Sequence, residues 1–461
     1  MNTENRNMLG EAPIGKLMAK FAVPSIIAML VGALYNIVDQ LFIGHAVGTL
    51  GNAATNIAFP FTTSCLALAL LFGIGGASCF NLNMGRKNVE QAPYFVGNAA
   101  TMLVLSGTVL MLIAELFLEP LLIVFGSPAD VLPFATPYVR ITAIGFPFLL
   151  LSTGGGHLVR ADGSPKITMI SNITGAVINT VLDALFVIVF RWGMEGAALA
   201  TIIGQMVAAC IVGVYLTRYK TVKLCRKHFL PKPAYLKDII AIGMGSCVNQ
   251  MAMMVVQVVL NNSLKHYGAL SVYGESIPIA CAGIVMKVNQ IFFSVIIGIS
   301  QGSQPIESFN YGAKNYKRVR ETYRLAAIVA GSISACSFIA FQVFPRQLLA
   351  LFGEGSDAYF EFGVKTFRVL LLLTFLNFLQ PVTSTFFTSI GKAVKGAFLS
   401  LTRQILFLLP LILVLPRFWG IDGILVAGPI ADALSAVTAV LMVLYEFNLM
   451  KKEEGAHNAA D

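Results

Sequence analysis

Residues 192–196 read Trp192-Gly193-Met194-Glu195-Gly196, and 227 residues later the chain reads Trp419-Gly420-Ile421-Asp422-Gly423. Two further pairs keep that spacing. Asn83-Met84-Gly85, with Lys87-Asn88, recurs as Asn310-Tyr311-Gly312, with Lys314-Asn315. Phe125-Gly126 after Leu121-Leu122 recurs as Phe352-Gly353 after Leu348-Leu349. Three matches at one offset, each in an equivalent connection, mark an internal duplication.

Composition says what is duplicated. Of 461 residues, 56% are hydrophobic and 12% charged, where a soluble chain carries about a quarter charged. The mean hydropathy is +0.76. A bilayer crossing needs about 20 mostly apolar residues. Runs near 16–44, 52–82, 93–117, 135–158, 166–190, 195–217, 236–264, 270–300, 319–344, 360–387, 395–416 and 421–447 meet that demand. The expected fold is therefore an all-α membrane protein of twelve transmembrane helices. Residues 2–12 are polar, with Glu4 and Glu11, and do not read as a removable signal peptide.

The net charge of +9 is not a nucleic-acid footprint, which would be one concentrated basic face. Basic residues instead fill alternate connections: Arg86 and Lys87, Arg160 and Lys166, Arg218 to Lys237, Lys314 to Arg320, Lys392 and Lys395, Lys451 and Lys452. The connection from His45 to Asn52 has no Lys or Arg. Under the positive-inside rule both termini are expected in the cytoplasm of a multi-pass protein of the cell (inner) membrane. The seven cysteines are scattered without a CxxC pair, and the five histidines are dispersed, so no disulfide framework, metal site or cofactor is expected.

The longest basic connection, 218–236, is flanked by Pro231 and Pro233. It divides the chain into an N-terminal lobe (1–217) and a C-terminal lobe (237–461). Each lobe has an even number of spans, so both enter from the same side. The pseudo-twofold axis then runs along the membrane normal, with a substrate route between the lobes.

With the duplication in place, the chain resembles the MATE (multidrug and toxic compound extrusion) family over residues 10–450, closest to its MepA-like and DinF-like bacterial branches. The residues that carry the likeness are Pro24-Ser25, Asn36 through Asp39 to Gly44, Ala161-Asp162-Gly163, Gln304-Pro305 through Asn310-Tyr311-Gly312-Ala313-Lys314, and Arg403-Gln404. The resemblance implies a V-shaped fold and antiport of drugs against protons or sodium. It also implies that acids at Asp39 and Asp183, with Tyr35, Asn179 and Thr201, form the coupling site.

The residues support such a site directly. A charge near mid-bilayer costs about 2.5–3.5 kcal/mol or more, so Asp39 in the first span and Asp183 in the fifth each need a reason. Tyr35 shares a helix face with Asp39, and Asn179 with Asp183. At about 1.5 Å per residue from the outer ends, Asp39, Asp183 and Thr201 all fall about 12–13 Å deep. A carboxyl removed from water favours its neutral form, so an embedded pair can take up a proton. The bland alternative is helix packing or snorkelling to the outer interface. Against it, the repeat places Leu260 opposite Asp39 and Pro410 opposite Asp183, so the acids belong to one lobe only. In MATE proteins that couple to sodium through the C-terminal lobe an acid stands in the seventh span; here that span offers Asn249, Gln250, Gln257, Asn261 and Asn262 but no acid, so the resemblance implies protons in the N-terminal lobe rather than sodium in the C-terminal lobe.

Glu275, Lys287, Met251, Met254 and Gln257 are candidate cleft residues, since thioethers and polar groups suit variable, cationic or amphipathic drugs. Pro24 is the candidate hinge; Glu307, near an inner helix end, reads as structural or gating, and Asp432 as a lower-ranked coupling acid. Partners are expected to be such drugs and the lipid bilayer, with the chain acting as a monomer. An intramembrane enzyme would need a catalytic cluster in a sizeable loop, and the short connections carry none. A lipid-carrier flippase would need a continuous basic cleft, whereas embedded acids suit cations.

Overall fold

The computed structural model describes residues 8–125, 127, 129–274, 276–351 and 357–458. Glu275 lies outside the described residues. Among them the chain is helical without a strand. The first half comprises α1 (Ile14–Ala46), α2 (Thr49–Gly85), α3 (Ala92–Leu116), α4 (Leu132–Ile144), α5 (Phe146–Ala161), α6 (Pro165–Asp183) and α7 (Gly193–Thr217). The second comprises α8 (Pro233–Ala269), α9 (Ser276–Gly312), α10 (Tyr316–Val343), α11 (Asp357–Leu370), α12 (Leu379–Ser389), α13 (Ala393–Leu401), α14 (Leu409–Val414) and α15 (Ile421–Asn458). Ten helical stretches are long and apolar enough to cross a membrane, and twelve if the bent pairs α4–α5 and α11–α12 each count as one crossing. Prolines open α6 and α8, where a missing N–H costs nothing.

The duplication is written into the backbone. Lys87 and Lys314 have φ of 64° and 58°, and Gly193 and Gly420 have φ of 56° and 58°. The Asn88 N–H donates to Asn83 O, and the Asn315 N–H to Asn310 O, both at 2.9 Å. The α4–α5 bend of 54° has its counterpart in the 40° bend before α12. A π-helical stretch, 184–189, extends α6, and another, 402–408, follows α13.

The halves meet through glycine. A Cβ at Gly75 or Gly243 would overlap the carbonyl of Ile239 or Leu71. One at Gly85 or Gly312 would overlap the carbonyl of Phe309 or Leu82, and Gly298 and Gly302 abut Ile26 and Ala22. Helices in lipid gain little from burying apolar surface against each other, so close backbone approach supplies the attraction. All these approaches lie toward the face carrying Arg86, Lys87 and Lys314. Toward the opposite face, Gly283 of α9 has nothing within 4 Å of a Cβ, and Lys287, on the line of Gly298, is exposed. The molecule is thus sealed at its basic face and parted at the other.

Helix α1 belongs to both halves. Its Leu17, Met18, Phe21 and Ala22 sit in one core cluster with Ile299 and Ile306 of α9, Tyr323 of α10 and Phe386 of α12. Its far end packs on α6 and the π turn. Pro24, between the two stretches, leaves the helix unbroken.

Three readings change. The eighth crossing, expected over 270–300, is Ser276–Gly312. Its polar stretch from Gln301 to Asn310 reads as a loop but is buried against other helices rather than lipid. Arg160, expected in an open basic loop, is 3% exposed. The connection 218–236 is tied to the first half by side-chain bonds, and its last residues, from Pro233, already belong to α8. Asp162 accepts from the Tyr215 hydroxyl at 2.7 Å, the Lys220 N–H at 2.7 Å, the Thr221 N–H at 2.8 Å and the Thr221 hydroxyl. Asn98 donates to His228 O at 2.9 Å and accepts from the Lys232 N–H at 2.7 Å.

Candidate functional site

Asp39 and Asp183 come together. Helix α1 lies along α6, and the two carboxyls interact side chain to side chain. Asp183 is fully buried, Asn179 is 2% exposed and Thr201 8% exposed. Asn179 lies beside Asp183, and its amide donates to the Thr201 hydroxyl at 3.4 Å. Tyr35 faces both acids, so all five expected residues share one locality. Asp183 ends α6 where the backbone widens into the π stretch 184–189, an irregularity common at functional positions.

The hydrogen-bond balance of this group is incomplete. Asp39 Oδ1 and both Asp183 oxygens are buried without a donor, and no Lys or Arg pairs with either acid among the described residues. A carboxylate only accepts, whereas a carboxylic acid also donates. One proton on the pair would supply a missing donor and remove the repulsion of two adjacent anions.

Sequence reasoning missed Tyr138, which faces Asp39, Tyr35 and Asp183 from α4. Its place in the outer part of the fourth crossing was the available signal. The other embedded acids differ. Asp432, considered a coupling acid, is bound by Arg403 at 2.7 Å. Glu446, fully buried, accepts from Lys392 and from Lys395 at 2.7 Å.

Helical phase separates the acid pair from the parted cleft. At about 100° per residue, Asp39 lies about 120° round α1 from Ala22 and Ile26, which face the second half. The carboxyl pair therefore sits behind α1, inside the first bundle. Lys287 lies three turns beyond Gly298 on the same face of α9; it is exposed and has no carboxylate partner among the described residues. Met254 continues the face of Gly243 on α8. Gln257 lies close to that line and donates to Asn261 Oδ1 at 3.0 Å. Met251 is turned about 80° away.

The chain is thus a multi-pass membrane protein of two six-helix lobes, parted on one side and holding an acid pair behind one seam helix. The MatE family profile matches residues 24–185 and 245–414, and the chain belongs to that family. Among its relatives is the Multidrug export protein MepA of Staphylococcus aureus (strain MSSA476), 25% identical over 444 residues and 96% of both chains. The protein of that name from Staphylococcus haemolyticus is 25% identical over 449 residues, again 96% of each. A solved structure described as the outward-facing conformation of a multidrug resistance MATE family transporter of the MOP superfamily superposes with a TM-score of 0.90 at 21% identity, covering 98% of this chain and 99% of that one. A MOP superfamily transporter from Pyrococcus furiosus matches with the same TM-score, identity and coverage.

Proposed function

We propose that this protein is a secondary active multidrug efflux transporter of the cell membrane, exchanging organic cations and other amphipathic drugs for protons by alternating access. The basic face is cytoplasmic on the positive-inside rule, so the described conformation opens outward. The relatives named for multidrug export match it nearly end to end.

The observation that carries the mechanism is the double allegiance of α1. Near Asp39 it packs on α6 in the first lobe, and near Ala22 it is embedded in the core of the second. A proton taken from outside by the Asp39–Asp183 pair removes charge and supplies a donor between the carboxyls. The packing of α1 on α6 then changes, with Pro24 as the hinge, and the shift is delivered to the seam at Ala22 and Ile26. Drug leaves outward. Rebinding of drug from the cytoplasm or inner leaflet favours the deprotonated pair. A potential of 100 mV supplies about 2.3 kcal/mol per charge moved, enough for about a fifty-fold gradient.

The test is ethidium transport in vesicles under an imposed proton gradient. Asp39→Asn combined with Asp183→Asn, which mimics the protonated pair, should weaken drug binding and remove uphill transport; full coupled transport by that variant would overturn the assignment. Sodium coupling is the second reading. Transport that survives an uncoupler and requires sodium would establish it.

A further inference from the structure

Helix α9 is the partner of α1 across the seam, and it too carries an acid on its far side. Glu307 lies between Gly302, which abuts Ala22, and Phe309, which abuts Gly85. At five residues from Gly302 it points about 140° away from the seam, into the second lobe. It is fully buried. Both its carboxyl oxygens lack a hydrogen-bond donor.

Its polar neighbours are the Ser303 and Ser389 hydroxyls, with Tyr323 facing it from α10. Ser303 donates to Ser300 O at 3.0 Å and Ser389 to Thr385 O at 2.8 Å. The Tyr323 and Thr383 hydroxyls bond each other at 2.7 Å. Each serine has one proton, which goes either to that backbone carbonyl or to Glu307. An anion must draw those protons away from the backbone, whereas an acid finds hydroxyl lone pairs to donate to.

Among the described residues no cation forms an ion pair with it either. Helix α12 carries no titratable residue, and Lys392 beyond it is held by Glu446. On α10, Arg318 donates to Leu9 O and Ala12 O, Arg320 pairs with Glu454, and Tyr316 interacts with Glu453. His157 of α5 faces Gln304 and Arg160. Arg86 and Cys79 of α2, Lys16 and Lys20 of α1, Lys237 and Asp238 of α8, and Lys365 and Arg368 of α11 form no ion pair with Glu307.

We propose that Glu307 is a second, separate proton-binding site, which closes the cytoplasmic seam when protonated and releases it when ionised. The closed seam buries Glu307 away from water, where the neutral acid is the better satisfied form. Opening frees the inner end of α9, which stops five residues beyond Glu307 and is held at Gly312 by Leu82; cytoplasmic water then reaches the carboxyl round that end, its O–H proton passes to that water, and the anion left behind favours the open state. Proton binding and closure are therefore linked. The repeat places Phe80 opposite Glu307, so this site is no relic of a shared architecture. It rests on none of the roles given to Asp39 and Asp183.

Cys79 reports the seam: it is 3% exposed and one turn from Gly75. In purified protein with Cys79 as the single cysteine, maleimide labelling is compared at pH 6 and pH 8 and normalised to the unfolded chain. Normalised accessibility should rise with pH by up to about tenfold per unit for one linked proton. Glu307→Gln should stay slow at both pH values, and Glu307→Asp should restore the response. An unchanged pH response in Glu307→Gln overturns the proposal. A measurement without any substitution guards against misfolding: infrared spectra of protein carrying ¹³C-glutamate should show a protonated glutamic acid at neutral pH. Its absence overturns the proposal equally.

Discussion

The two lobes treat embedded acids in opposite ways. In the second, Asp432 is held by Arg403 and Glu446 by two lysines. In the first, Asp39 and Asp183 face each other with no paired cation, and three of their oxygens lack a donor, among the described residues. A buried carboxylate with a fixed counter-charge stays ionised and joins helices. One with neither a counter-charge nor a hydrogen-bond donor is relieved by a mobile cation, of which the proton is the smallest. The duplicated scaffold thus pairs a lobe whose acids are braced by cations with one whose acid pair is not, and Glu307 is the exception inside the braced half.

The comparison breaks first at the acid pair. Asp39→Asn with Asp183→Asn should reduce a drug gradient of about fifty-fold to none, measured as ethidium accumulation in energised vesicles. Asp432→Asn should preserve coupling, and a loss equal to that of the first pair would erase the distinction between lobes. Arg403→Ala should destabilise the protein by about 3–5 kcal/mol, because it strands Asp432 as an unpaired buried charge. Adding Asp432→Ala should recover most of that loss in detergent unfolding.

Asp162 sharpens the contrast outside the membrane. It is a braced acid held by hydroxyl and backbone donors rather than cations. Asp162→Ala should cost about 2–3 kcal/mol by orphaning the Lys220 and Thr221 N–H groups, while the Tyr215 hydroxyl keeps Ser164 at 2.7 Å. Burial pushes the Asp162 carboxyl up from its ordinary value, against the donors that hold it down. The native state therefore binds this proton more readily than the unfolded chain. The stability of the parent relative to Asp162→Asn should rise as pH falls through the raised value, read as a difference in melting temperature across a pH series.

The smallest effect concerns the cleft. Lys287 opposes a cationic drug at about 1 kcal/mol across roughly 8 Å of partly solvated space. Lys287→Gln should tighten ethidium binding about fivefold by fluorescence titration and weaken binding of an anionic dye.

The crossings were legible in the sequence because each must carry about 20 apolar residues whatever it packs against. The repeat was legible because its glycines and tight connections are local requirements, seen again in the positive φ of Gly193 and Gly420. The nearness of Asp39 to Asp183 was also within reach, since helix rise fixes depth once the ends are known. The extent of α9 was hidden, because the run from Gln301 to Asn310 is too polar for lipid and only its protein neighbours make it a buried helix.

Sequence by itself therefore determined the number of crossings, the duplication, the charge asymmetry of the two faces and the level at which acids enter the bilayer. All of these are set by distances along one chain against one solvent. Tertiary structure alone decided which acids have counter-charges, which side of α1 and α9 each acid occupies, and which end of the cleft is sealed. Those depend on neighbours hundreds of residues away, brought together by backbone contacts that leave no periodic mark.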